Sequence, residues 1–236
     1  MRHRLLYLII LVAILFVVFY SPLTSYLLKD FITFKLEKAL DMNVVFGSVR
    51  VKMPAQLTVS DIKAMDKDGL AFTAERAYLR LDPAKFFKAK FVLSCDFQNV
   101  VLKSGPKDSL NKLLKPFGVP SQNNYAFDGI TGVITTSKGF ISITDLKGAG
   151  KDFKFSGNFT RFQDKKIDYE LDFGINNRLV AAVQERERSL LGEEEKDGWY
   201  SIKLSLKGDP HKPSSISFSS GGIKFEVKPV DKPLPK

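Results

Sequence analysis

The pattern of apolar and polar positions changes character twice along the chain. Residues 5–20 are apolar without interruption, and after Ser21 and Pro22 the apolar character resumes through Leu28. As a helix the first run spans roughly 24 Å, and extension through Leu28 gives about 36 Å. A bilayer's hydrocarbon core is about 30 Å thick, so the longer segment predicts a transmembrane helix, kinked at Pro22. Residues 25–42 then place Leu27, Phe31, Phe34 and Leu40 near one stripe at helical spacing, with Lys29, Lys35 and Lys38 off it. This predicts an amphipathic helix continuing from the first. It either lies at the membrane interface or caps the end of the following domain.

From residue 44 the period becomes two. Val45, Gly47, Val49 and Val51 alternate with Phe46, Ser48, Arg50 and Lys52, up to Pro54. Leu57 and Val59 follow, and the phase slips before Ile62 and Ala64. Asp66-Lys67-Asp68-Gly69 predicts a turn. Phe72 and Ala74, then Ala77, Leu79 and Leu81, form the next strand, with a second slip that predicts a bulge, and Pro83 ends it. Phe91, Leu93, Cys95, Val100 and Leu102 form another strand. Residues 108–115 predict a short helix stopped at Pro116 and Gly118. Further strands are predicted at 127–136, 139–147, 152–162, 166–175, 200–207, 215–219 and 223–227, separated by turn signals such as Gly148-Ala149-Gly150. Residues 177–196 break the alternation and predict a helical insertion.

These readings organise the chain into an anchor at 1–28, a juxtamembrane helix at 29–42, a first β subdomain at 43–125, a second at 126–228 and a disordered tail at 229–236. Short strands with alternating polarity indicate antiparallel sheet with one dry face and one wet face. The dry face either meets a second sheet or folds over on itself and leaves a groove, and periodicity does not choose between them.

Composition adds constraints. The chain has 236 residues, 44% of them hydrophobic, enough for one moderate domain or two small ones. The net charge of +10 invites nucleic acid as a partner, but no basic cluster stands on a nucleic-acid motif, and proximity to anionic lipid head groups suits it better. The single cysteine, Cys95, excludes an intramolecular disulfide and reads as a small buried residue. Neither histidine, His3 or His211, stands in a metal-binding or triad arrangement. No nucleophile-and-base pair, phosphate loop or metal spacing is present, so no enzymatic activity, cofactor or metal is expected. Arg2 and Arg4 ahead of the first apolar run predict a cytoplasmic N-terminus with the remainder exported.

Several stretches resemble the AsmA-like family of bacterial envelope proteins. Leu40-Asp41-Met42-Asn43, followed by Gly47-Ser48-Val49, is similar to the family's helix end and opening strand. Gln56-Leu57-Thr58-Val59-Ser60-Asp61-Ile62, and the segment from Asp68-Gly69 through Tyr78-Leu79-Arg80-Leu81, are similar to the strands after it. Phe127-Asp128-Gly129-Ile130-Thr131-Gly132 and Gly139-Phe140-Ile141-Ser142-Ile143 look like its C-terminal repeat, and Lys207-Gly208-Asp209-Pro210 like its closing turn. The resemblance implies a mainly β fold in which an N-terminal transmembrane helix precedes an antiparallel, incomplete-barrel ("taco"-like) sheet with a few short helices. It implies a single-pass protein of the bacterial inner membrane, its bulk periplasmic, handling phospholipid in envelope biogenesis. Candidate groove positions are Val49, Val51, Leu57, Val59, Leu79, Leu81, Phe91 and Leu93, then Ile141, Ile143, Phe153, Phe155, Tyr169, Leu171 and Phe173. The alternative for these residues is an ordinary closed core. The alternative function is a structural or interaction subunit, contacting other envelope proteins, similar to type II secretion protein N.

The N-terminal run also reads as a cleaved signal peptide, since Ser21 and Ser25 are small. No A-x-A-like site follows, and Leu23, Tyr26, Leu27 and Leu28 restore bulky apolar character, which favours a retained anchor. Intact-mass measurement of the mature protein is expected to show residues 1–28 retained; loss of the first two dozen residues would remove the anchor.

Overall fold

The computed structural model describes residues 29–30, 33–34, 37, 42–52, 56–66, 69–82, 84–85, 90–103, 111, 114–181, 183, 185–188, 191, 194–195, 197–209, 212–220 and 223–227. The predicted anchor at 1–28 and the tail at 229–236 lie outside them. Among the described residues no helix is long and apolar enough to cross a membrane. The described positions between 29 and 37 are helical, and Glu37 accepts a hydrogen bond from the Val44 N–H at 3.1 Å, tying this segment to the first strand.

The described strands belong to one antiparallel sheet of twelve. They are β1 (Asn43–Val45), β2 (Ser48–Lys52), β3 (Gln56–Asp66), β4 (Gly69–Leu81), β5 (Phe91–Lys103), β6 (Asn124–Ser137), β7 (Phe140–Ala149), β8 (Phe153–Phe162), β9 (Ile167–Asn176), β10 (Trp199–Asp209), β11 (Lys212–Ser220) and β12 (Ile223–Val227). From β3 onward each strand pairs with the next in sequence, a pure meander that leaves β1 and β2 at one edge and β12 at the other. The sheet is therefore open, and β5 pairs with β6 from Phe91↔Thr136 to Lys103↔Asn124.

The first predicted strand is split in two. β1 pairs with β3 at Val45↔Lys63 and β2 pairs with the same strand at Ser48↔Ser60. The predicted alternation placed Val45 with Val49 and Val51, but Val44 and Phe46 are the buried residues and Val45 is exposed. The cause is Asp61, opposite the break, whose φ of 52° reverses the alternation of β3. Asp and Asn tolerate this left-handed conformation better than other non-glycine residues. Asn99 does the same in β5 with a φ of 51°. Consequently Val59 and Ile62 face one way, as do Phe97 and Val100, although each pair is three apart in sequence. The slip predicted within β4 is present: Ala74 and Ala77, three apart in sequence, are both buried beside left-handed Asp61 and Asn99 of the neighbouring strands, and the register shift opposite Ala64 and Met65 leaves Ala71 as an extra residue on β4.

The sheet bends sharply at β7. Strands β6 and β8 bring Cα atoms within 8 Å of each other although β7 lies between them; two flat strand spacings would separate them by about 9.6 Å. Two glycines permit this. The Phe155 ring occupies the space a Cβ on Gly148 would take, 2.2 Å away, and meets Phe127 edge-on at 5.1 Å. A Cβ on Gly150 would lie 2.3 Å from the Ala126 carbonyl oxygen.

The two long connections leave the same end of the sheet. One joins β5 to β6 and carries a 3-10 turn, Lys115–Phe117, stopped by left-handed Gly118. The other joins β9 to β10 and holds two short helices, α1 (Asn177–Val180) and α2 (Glu185–Arg188), in place of the longer predicted helix. Helix α2 touches the 3-10 turn, so the connections meet. Leu114, Phe117, Val119, Val180 and Leu191 from these connections are all buried in the core.

Substitution Gly150→Ala is expected to cost about 1–3 kcal/mol in thermal or chemical denaturation, because backbone cannot move aside as a flexible side chain can. Gly129→Ala, whose Cβ would meet the Phe97 carbonyl oxygen at an ordinary 3.6 Å, should stay within about 0.5 kcal/mol of the parent.

Candidate functional site

Pairing registers place all the predicted groove residues on one face of the sheet. Val49 and Val51 lie beside Val59 and Leu57, which lie beside Ala77 and Leu79. The same face continues through Leu93, Ile134 and Ile143 to Phe159 and Tyr169. The structure divides the set by burial. Leu57, Val59, Leu79, Leu93, Phe153 and Phe173 are fully buried. Val49, Val51, Leu81, Phe91, Ile141, Ile143, Phe155, Tyr169 and Leu171 are partly exposed.

The division follows the two ends of β6–β10. At the end with the long connections the face is closed. Tyr125 packs on Phe153 at 5.2 Å and Phe153 on Phe173 at 5.6 Å. Tyr125 donates its hydroxyl to Asn111 Oδ1 at 2.6 Å, and the Asn111 side chain also bonds the backbone of Gln122 in both directions, at 2.8 and 2.9 Å. On the other connection, Arg188 donates to the Tyr200 hydroxyl at 2.8 Å, and Ser220 donates its buried hydroxyl to the Leu191 carbonyl at 2.9 Å. These bonds hold the cap down.

Toward the opposite end the same face is only partly covered. One row runs straight across seven strands: Leu81, Leu93, Ile134, Ile143, Phe159, Tyr169 and Leu206. All but Leu93 are partly exposed. Burial lifts the Tyr169 phenol above the ordinary tyrosine range. The next row toward the sheet's end contains Ile141, Arg161 and Ile167 side by side. Arg161 is exposed on the apolar face and forms no ion pair among the described residues. At the same end of the sheet, a depression of about 610 Å³ is lined by Ile167 and by Phe162, Asp164, Lys166, Asp168 and Lys207, the strand residues Phe162, Asp168 and Lys207 belonging to the opposite face. Phe162 is 44% exposed. Lys166 bonds Asp164 at 2.7 Å and holds its carboxyl below the usual carboxylate range.

Sequence reasoning did not single out Ile134, Phe159, Leu204 and Leu206 on this face. Their alternation was visible, since each lies inside a predicted strand. Alternation within β8 also puts Arg161 on the face of Phe153 and Phe155, but only the register shows that it stands beside Ile141 and Ile167.

Cys95 lies in the closed part, and its thiol donates a weak bond to the Leu93 carbonyl at 3.8 Å. Burial pushes this thiol from an ordinary 9.0 up to about 12. Among the described residues no group of His, Cys, Asp and Glu side chains could hold a metal ion. The chain matches no family model, and no curated protein or solved structure is similar to it.

Because the folded protein retains the Cys95 proton at higher pH than the unfolded chain, this thiol's contribution to stability is complete below pH 9 and is lost as pH rises toward about 12. Denaturation curves for the parent and Cys95→Ala should therefore differ by a constant up to pH 9, with the parent losing ground above it. A parallel pH dependence for both proteins would contradict the burial argument.

Proposed function

We propose that the protein is a membrane-anchored lipid-handling protein of the bacterial envelope, non-catalytic, with its sheet exported to the periplasm. The observation that carries this reading is the partly exposed apolar row across β4–β10, with Arg161 in the adjacent row toward the sheet's end, on a face whose other end is sealed. Such a surface has the polarity of a phospholipid: hydrocarbon along the row and a cation beside it for the phosphate.

Magnitudes support the match. Seven strands set six spacings apart give a row of about 29 Å measured along the sheet. One leaflet of a bilayer is about 15 Å of hydrocarbon, so a complete acyl chain fits along the row. Each CH₂ removed from water contributes about 0.8 kcal/mol, so covering even half of an acyl chain outweighs the ordering of the side chains beneath it. The bend at β7 curls the sheet about its apolar side, in the sense of an incomplete barrel. The resemblance to AsmA-like proteins and the apolar run at 5–28 favour the same reading.

The full-length protein, extracted in a mild detergent, is expected to carry phospholipid detectable by mass spectrometry after organic extraction. Leu171→Arg, which places a charge among the apolar rows, should reduce that lipid several-fold without loss of β-sheet by circular dichroism. Arg161→Gln should retain lipid but lose preference for anionic head groups. Absence of lipid from the parent, or equal lipid in Leu171→Arg, would defeat the proposal.

A further inference from the structure

The opposite, polar face of the sheet carries its charges in two different ways. Across β8–β10 and their turns three cations have partners: Lys207 reaches Asp168 at 3.3 Å, Lys154 reaches Asp197 at 3.0 Å, and Arg178 pairs with Asp152. On β2–β4 they do not. Arg50, Lys52 and Arg76 converge on one depression of about 360 Å³, and no carboxylate among the described residues lines it. None of the three forms an ion pair among the described residues. Arg76 is oriented by the Tyr78 hydroxyl, to which it donates at 3.4 Å. The acidic side chains around it stand outside the lining. Glu75 accepts from Asn99, Asp61 packs against Gly47, and Asp96 lies one strand further out, opposite Tyr78.

Thr58 stands at the middle of this patch, between Arg50 on β2 and Tyr78 on β4. Its hydroxyl is buried and has no hydrogen-bond partner in the protein. Among the described side chains no other buried oxygen or nitrogen is left so. Beside it, the hydroxyls of Ser48 and Ser60 bond each other at 2.8 Å and retain capacity to donate to a third atom. Like charges on neighbouring strands repel, and a buried polar atom without a partner is destabilising. An oxyanion in the depression answers both, taking charge-assisted bonds from the guanidinium groups and a bond from Thr58.

We infer that the outer face of β2–β4 is a binding site for a phosphate-type oxyanion, with Arg50 and Arg76 as its charged clamps, Lys52 at its rim and Thr58 as a directed donor. The phosphate is carried either by a lipid head group or by a free phosphoester. The site is independent of the apolar face, which lies on the other side of the sheet.

The test is titration of the full-length protein, in a neutral detergent at constant ionic strength, with inorganic phosphate and separately with dihexanoyl phosphatidate, followed by ³¹P line broadening. The parent is expected to bind phosphate, with affinity reduced at least tenfold in the double variant Arg50→Gln/Arg76→Gln. Thr58→Val should weaken binding several-fold while leaving the unliganded protein's melting temperature equal or higher, which separates lost binding from lost folding. Tighter binding of the short-chain phosphatidate than of phosphate assigns the site to a head group, and equal binding assigns it to a free phosphoester. Equal affinity in the parent and in both variants, or no binding of either probe by the parent, would overturn the site. The double variant should still co-purify with lipid on the apolar face, so failure here and failure of the lipid-handling proposal remain distinguishable.

Discussion

A sheet that is apolar along one face over many strands cannot leave that face in water, and it cannot close into a barrel without joining its edges. This conflict governs the molecule. Pairing between β1 or β2 and β12 would seal the sheet, but the described edges are not joined to each other. Coverage must come instead from curvature and from the connections. Gly148 and Gly150 supply curvature by letting β6 and β8 approach across β7. The β5–β6 and β9–β10 connections supply a lid at one end, pinned through Asn111, Arg188 and Ser220. Neither device reaches the other end of β6–β10, and there the apolar rows stay partly exposed.

The left-handed residues in β3 and β5 serve the same requirement. Without Asp61 and Asn99 the strict alternation of long strands would turn part of each toward the wet side. Each reverses the phase once, so β3 and β5 remain apolar on one face over lengths of eleven and thirteen residues. The polar face inherits its own order from this arrangement. It carries the ion pairs of Lys154, Arg178 and Lys207 over β8–β10 and the unpaired Arg50, Lys52 and Arg76 over β2–β4, a distinction that net charge conceals.

Much of the fold was legible in the chain. The predicted strands 127–136, 139–147, 152–162 and 166–175 match β6 to β9 to within a few residues at each end, because alternation is a local property that sheet formation preserves. The slip before Ile62 was equally visible and turned out to be Asp61. Val44 and Phe46 were assigned to the wrong face, since nothing in the local sequence says that an edge strand breaks opposite a kink in its neighbour. The helical character of 177–196 was recognised, but its length was overestimated. Packing against the 3-10 turn and bonding to β10 divide that stretch into short turns. Among candidate site residues the apolar positions were legible by alternation. The Thr58 depression and the neighbours of Arg161 were not, because they depend on which strands stand side by side.

By itself the sequence determined that this is an antiparallel β protein with a dry face and a wet face, because period two dictates where side chains point. It also determined which residues form the dry face, except around Phe46, and that an apolar segment long enough to span a bilayer precedes the sheet. Tertiary structure alone decided how that face is covered. Burial depends on distances between residues far apart in the chain, set here by the approach of β6 to β8 and by two connections meeting over one end. The same long-range geometry decided which cations find carboxylates and which are left facing one another across neighbouring strands.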